Sequence, residues 1–130
     1  MNLRKKDKDQ LIRYRLDQAI ETIKTVELLI QNKSFPAAIN RIYYGIFYTL
    51  LALGLKNNFE TSKHLQLIGW FNLTFVKTGK IDTEFGKILR RAYENRITGD
   101  YDVFKEFPED FVIEMFDEMK KFIRKIEENI

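Results

Sequence analysis

At 130 residues, with 45% hydrophobic and 32% charged side chains, the chain has the size and composition of one folded domain, and of neither a disordered segment nor a membrane protein. It has no cysteine, which excludes disulfides, zinc–thiolate centres and thiol catalysis, and fits a cytoplasmic protein. The net charge of +3 is unevenly spread: residues 1–100 carry 17 Lys/Arg against 10 Asp/Glu, and residues 101–130 carry 5 against 9. That balance suits either a basic surface for RNA or nucleotide phosphates or ordinary solvated helix faces.

The first ten residues are basic, with no apolar signal core behind them, and predict an untargeted start that frays over residues 1–7. Ile12, Leu16, Ala19, Ile23, Val26 and Ile30 then recur at helical spacing, which predicts a long first helix from about Lys8 to Asn32. Asn32-Lys33-Ser34 is a short break, with Ser34 placed to cap a second helix and Pro36 tolerated in its first turn. So short a connection makes the two helices antiparallel neighbours.

The second helix, ending near Gly54, contains the most informative stretch of the chain, Ile39 to Leu55. It is apolar on nearly every helical face, yet as a run it reads as too short to cross a bilayer. A helix apolar all round needs partners on several sides, so it is expected at the centre of the fold with no membrane involved.

After a polar loop (Lys56 to Glu60), Thr61 or Ser62 can cap a third helix carrying Leu65, Ile68, Trp70, Phe71 and Phe75. Lys77-Thr78-Gly79-Lys80 is the next turn, and Asp82 or Thr83 caps a fourth helix with Ile81, Phe85, Ile88, Leu89 and Ala92. From Arg96 to Phe107 the period is lost. Pro108 opens a fifth helix, with Glu109 and Asp110 at its positive end and Lys120, Lys121, Arg124 and Lys125 toward its negative end. No strand-like alternation is present. The expected fold is all-α: an up-and-down antiparallel bundle of four main helices plus one shorter helix, forming a single domain.

Few residues fit any catalytic chemistry. There is one histidine, His64, no Glu-x-x-His pair, and no acid in the second helix to complement Asp17 and Glu21, so neither a metal site nor a cofactor is expected. His64 could serve as an acid or base by its ordinary pKa, or simply cap the third helix. Arg41 sits among apolar neighbours and must find acceptors or reach water, either at the bundle edge or against a phosphate. Arg96 follows Phe85, Leu89 and Ala92 at spacings of four, three and four, so it continues an apolar face. Either an Arg96–Asp100 contact fixes the end of the fourth helix, or Arg96 faces a charged pocket where a phosphodiester binds, lined by Glu94 and Asn95.

Four short strings then resemble, in order, the small prokaryotic HEPN domains, stand-alone bundles often encoded beside minimal nucleotidyltransferases. Arg41-Ile42-Tyr43-Tyr44-Gly45-Ile46-Phe47 resembles that family's Arg-x-Tyr-Tyr-x-x-Phe, and Ser62-Lys63-His64 its start to the next helix. Phe71 to Gly79 resembles its Phe-x-x-x-Phe-Val-Lys-Thr-Gly turn, and Arg91-Ala92-Tyr93-Glu94-Asn95-Arg96 followed by Asp100-Tyr101 its Arg-Ala-x-x-x-Arg and Asp-Tyr. The resemblance covers about residues 35 to 105. The resemblance implies a homodimer and a module that binds a nucleotide, RNA or a partner protein, within a toxin–antitoxin-like pair with a nucleotidyltransferase. Arg41, Arg91, Asn95, Arg96 and Asp100 are the binding candidates. The alternative it implies is a metal-independent endoribonuclease, whose signature pairs an arginine with a histidine. Arg96 matches the arginine, but Tyr101 stands where the histidine falls, so Arg96, Tyr101 and His64 are the catalytic candidates. A phenol of ordinary pKa near 10 is a poor base at neutral pH.

Overall fold

In the computed structural model, which describes residues 4–130, the chain folds into five α-helices with no strand among the described residues. They are α1 (Lys5–Gln31), α2 (Phe35–Lys56), α3 (His64–Phe71), α4 (Thr83–Tyr101) and α5 (Glu109–Glu127). The first three residues of the expected frayed start lie outside the described residues, and α1 opens earlier than its apolar stripe, at Lys5. The expected architecture of four main helices and one shorter one is present.

Helix α2 is the axis of the bundle and packs against α1, α3, α4 and α5. Ile39, Ile42, Tyr43, Ile46, Leu50 and Leu53 form one buried stripe at helical spacing, and Ala38, Gly45, Ala52 and Leu55 carry the burial round toward the opposite side of the helix. The helix is longer than its apolar run. At 22 residues it spans about 33 Å, so the expectation that it is too short for a bilayer is corrected on length. By length and composition it could cross one, but 72% of its apolar window is buried inside the bundle.

Ser34 stands at the N-cap of α2 but makes no side-chain cap bond, and Pro36 lies in the first turn. The expected stop at Gly54 is overrun by two residues. Gly54 serves close approach instead: a Cβ there would lie 2.6 Å from the Phe59 carbonyl oxygen, and the Phe59 amide donates to the Gly54 carbonyl at 2.8 Å.

The expected third helix is two elements. After α3 the chain widens into a π-helical turn, Asn72–Val76, closed by the Lys77 amide donating to the Asn72 carbonyl at 2.8 Å. Lys63, and neither Thr61 nor Ser62, takes the N-cap position of α3. Gly79 turns the chain with φ +79°, and Asp82 caps α4 by accepting from the Glu84 amide at 2.9 Å. Phe71, Phe75, Phe85 and Phe122 pack ring against ring between α3, the π-turn, α4 and α5.

The largest departure is at the end of α4. It does not break after Arg96 but continues to Tyr101. Gly99 is accommodated because Phe107, buried after the turn, packs onto it; a Cβ at Gly99 would lie 3.2 Å from the Phe107 ring. Asp100 therefore sits one helical turn beyond Arg96, on the same face.

These two kinds of helical glycine separate cleanly. Gly54→Ala forces backbone apart and is expected to lower stability by about 1–3 kcal/mol. Gly69 has nothing within 4 Å of a Cβ, so Gly69→Ala is expected to be neutral or stabilising by up to about 1 kcal/mol. Urea melts of both variants check the pair.

Candidate anion-binding site

One edge of α2 carries polar and aromatic side chains within an otherwise apolar helix. Asn40, Arg41 and Tyr44 fall within one helical turn of each other, and Tyr43 turns inward to full burial. Facing them are the end of α4 and the first residue of α3. The three elements meet because α2 packs against both α3 and α4.

Arg96 is the pivot. Its Nη2 donates to the Tyr44 hydroxyl at 2.9 Å. Its Nε lies 3.0 Å from Asp100 Oδ2, yet buried Nε has no properly directed acceptor, so this pairing is an ion contact rather than an aligned hydrogen bond. The guanidinium carbon stands 5.7 Å and 5.3 Å from the ring centres of Tyr43 and Tyr44, within cation–π range. Nη1 has no protein acceptor among the described residues and is not sealed from water. The side chain is 21% exposed, so one edge of a fixed cation is presented outward while the other is tied down.

The network extends through a residue that the sequence reading missed. Asn40 Nδ2 donates to Asp100 Oδ1 at 3.3 Å, and Asn40 Oδ1 accepts from Arg41 Nε and Nη2 at 3.0 and 2.8 Å. Arg41 lies 4.6 Å over the Tyr44 ring. Asn40 thus bridges the second arginine to the carboxylate that holds the first, and two cations share the ring of Tyr44. Tyr44 was visible in a motif string, but its role as the acceptor for Arg96 depends on a contact between α2 and α4.

His64 belongs to the same cluster. Its Nδ1 lies 2.7 Å from the Tyr43 hydroxyl, its ring stacks on Phe47 at 4.1 Å and 6°, and its centre is 5.8 Å from that of Tyr44. Tyr93 stacks on the Tyr43 ring at 5.6 Å. Burial, with the Arg96 cation second, holds His64 below its usual 6.5. Burial pushes the Tyr43 phenol well above 10, with Arg96 opposing.

Other sequence candidates fall elsewhere. Arg91 pairs with Glu118 of α5. Asn95 donates its side-chain amide to the Arg91 carbonyl within α4. Tyr101 is 82% exposed at the tip of α4 and makes no side-chain hydrogen bond among the described residues. No group of three or more potential metal ligands occurs among the described residues. The structure therefore gathers Arg41, His64, Arg96 and Asp100 into one cluster and leaves Arg91, Asn95 and Tyr101 outside it.

Fold and cluster together define an all-helical domain that offers two arginines and an imidazole at one edge of its buried central helix. The sequence matches the HEPN domain over residues 12–129, and the chain belongs to that family. The match takes in α1 and α5, beyond the strings that carried the resemblance. It is 39% identical to a UPF0332 protein of Thermotoga maritima, covering 95% of this chain and 94% of the relative. It is 33% identical to a Methanocaldococcus jannaschii protein named "Putative toxin MJ0605", covering 93% and 95%. A second protein of that organism, "Putative toxin MJ0142", is 32% identical over 67% of this chain and 59% of its own length.

The coupling between His64 and Arg96 is measurable. Arg96→Gln removes a cation that disfavours the imidazolium, so the His64 midpoint is expected to rise toward 6.5. Because the folded state holds His64 below its unfolded value, the associated stability is complete above about pH 6.5 and is lost as pH falls through the folded-state midpoint. NMR titration of the single imidazole reads both values; a midpoint unmoved by Arg96→Gln contradicts the placement.

Proposed function

We propose that this chain is a toxin-like HEPN module that binds the phosphate of a nucleotide or of RNA at the Arg96 cluster. The observation that carries the reading is the half-tied guanidinium: Arg96 is fixed by Tyr44 and Asp100 with Nη1 left open, and Arg41 and His64 share the Tyr44 ring with it. A fixed fork of donors is suited to phosphate oxygens. A cleft of about 530 Å³ between α3, the π-turn and α4 adjoins it through Tyr93. Leu65, Ile68 and Val76 give that cleft an apolar lining, and Lys87 and Arg90 supply charge. Such a lining supports a base next to a bound phosphate.

The names of the two Methanocaldococcus jannaschii relatives support the toxin-like reading. The resemblance to stand-alone HEPN proteins supports a minimal nucleotidyltransferase as partner and a cytoplasmic setting. A homodimer is supported by the tip that follows the site: Tyr101, Val103 and Phe104 are 82%, 85% and 89% exposed, a cluster of apolar side chains directly after Asp100. A second copy covering that tip would close the open edge of the Arg96 cluster.

The placement of His64 beside Arg96 supports a second reading, a metal-independent endoribonuclease. Tyr101, the residue in the position of the signature histidine, is outside the cluster and would contribute only from the dimer face.

Arg96→Ala is expected to weaken binding of a short single-stranded oligoribonucleotide by about 1.5–3 kcal/mol, roughly ten- to a hundredfold, with the melting temperature little changed. Calorimetry and thermal melts check both, and unchanged affinity removes the site. Incubation with RNA in the absence of metal separates binding from cleavage. Joint substitution Val103→Asp and Phe104→Asp is expected to yield a folded monomer in sedimentation analysis. A wild-type chain that is already monomeric at high concentration contradicts the dimer.

A further inference from the structure

Tyr43 is fully buried, and among the described residues its hydroxyl has one partner, His64 Nδ1, at 2.7 Å. A buried phenol proton without an acceptor carries a desolvation penalty that no other group here relieves. Tyr43 must therefore donate, and Nδ1 must accept. A neutral imidazole has one donor and one acceptor nitrogen, so the proton resides on Nε2. Nε2 makes no hydrogen bond to the protein among the described residues and is not sealed from water. The ring cannot turn freely, because it is stacked on Phe47 and set edge-on to Tyr44 at 86°. Both the His64 ring centre, at 5.8 Å, and the Arg96 guanidinium carbon, at 5.3 Å, lie within reach of the same Tyr44 ring centre.

We propose that Tyr43 is a positioning residue that locks His64 as its Nε2–H tautomer, so that His64 serves the Arg96 site as a neutral hydrogen-bond donor to a phosphoryl oxygen and not as a proton acceptor. The ligand half of this statement rests on the anion-binding reading above; the tautomer half stands on the Tyr43–His64 geometry alone. Two features keep the imidazole neutral. A proton on Nδ1 would face the phenol oxygen and strand the phenol proton in a dry site. The titratable and charged groups facing His64 among the described residues are Tyr43 and Tyr44 from α2 and Arg96 from α4, whose carboxylate partner Asp100 lies on the guanidinium and not on the imidazole. Among the described residues no carboxylate is hydrogen-bonded to His64 to favour its cation. In this state His64 can hold a phosphate next to Arg96 but cannot take a proton from a ribose hydroxyl through Nε2, which favours ligand binding over base catalysis.

His64 is the only histidine, so long-range 1H–15N spectra of the labelled full chain report it without ambiguity. At pH 7 the wild type is expected to show one fixed tautomer with the proton on Nε2. Tyr43→Phe keeps the ring and its packing but removes the donor. It is expected to retain the fold, to bring both nitrogens toward the averaged shifts of exchanging tautomers, and to raise the protonation midpoint. A wild-type ring protonated on Nδ1, a wild-type imidazolium at pH 7, or an unchanged tautomer in Tyr43→Phe overturns the lock; should that variant not fold, the wild-type spectrum decides alone. Adding a short single-stranded oligoribonucleotide to the wild type is expected to shift Nε2 while leaving it protonated. A locked tautomer that ignores the oligonucleotide upholds the Tyr43 role and overturns the anion-binding reading.

Discussion

An arginine cannot shed its proton at any pH a protein meets, so a guanidinium set among aromatic rings has to be paired, solvated or given an anion. Arg96 is placed under that constraint by the register of α4, which carries it on the same face as Phe85, Leu89 and Ala92 and brings it against the edge of α2. The surroundings meet only part of its demand. Tyr44 accepts one hydrogen bond and Asp100 neutralises the charge, but Asp100 is itself shared with Asn40. The remaining edge faces water, while Arg41 and His64 lie against the same Tyr44 ring as the guanidinium. Because the partners come from α2, α3 and α4, the cluster depends on the whole bundle and would disperse if the helices shifted.

The central helix does two jobs that pull in different directions. To be the axis of the bundle α2 must bury most of its circumference, with Ile39, Ile42, Ile46, Leu50 and Leu53 on one face, Phe47 beside them, and Ala38, Ala52 and Leu55 on the far side. To build the cluster it must also carry Asn40, Arg41, Tyr43 and Tyr44 close together. Tyrosine reconciles the two, since its ring packs as a core residue and its hydroxyl is a polar handle at the far end. Tyr44 uses that handle on Arg96 and Tyr43 uses it on His64.

Much of the fold was legible in the residues themselves. The all-round apolar character of Ile39 to Leu55 marked the central helix, the Asp82 cap and the Gly79 turn were readable from residue type, and Arg96 stood out by following its own apolar face. What was not legible followed from contacts between distant segments. The helical period is lost from Arg96 onward, but Phe107, folding back onto Gly99, gives α4 the packing that carries it on to Tyr101. Gly54 looked like a stop and is a close approach to the Phe59 backbone. In the cluster, Arg96, Asp100, Arg41 and His64 were recognisable as residue types with something to satisfy. Asn40, Tyr44 and Tyr93 were not, because a bridging amide, an accepting hydroxyl and a stacking ring acquire their roles only from a neighbour on another helix. Tyr101 drew attention by its position in a motif, whereas the structure turns it out to solvent at the helix tip.

The central claim is that the open edge of the Arg96 guanidinium is an anion site. Guanidinium 15N resonances, followed while a dinucleoside monophosphate is titrated into the full chain, test it most directly. The account predicts that the Arg96 signals and the His64 Nε2 signal move together and saturate at one common ligand concentration. Saturable shifts confined to other arginines, with Arg96 and His64 unmoved, would contradict it.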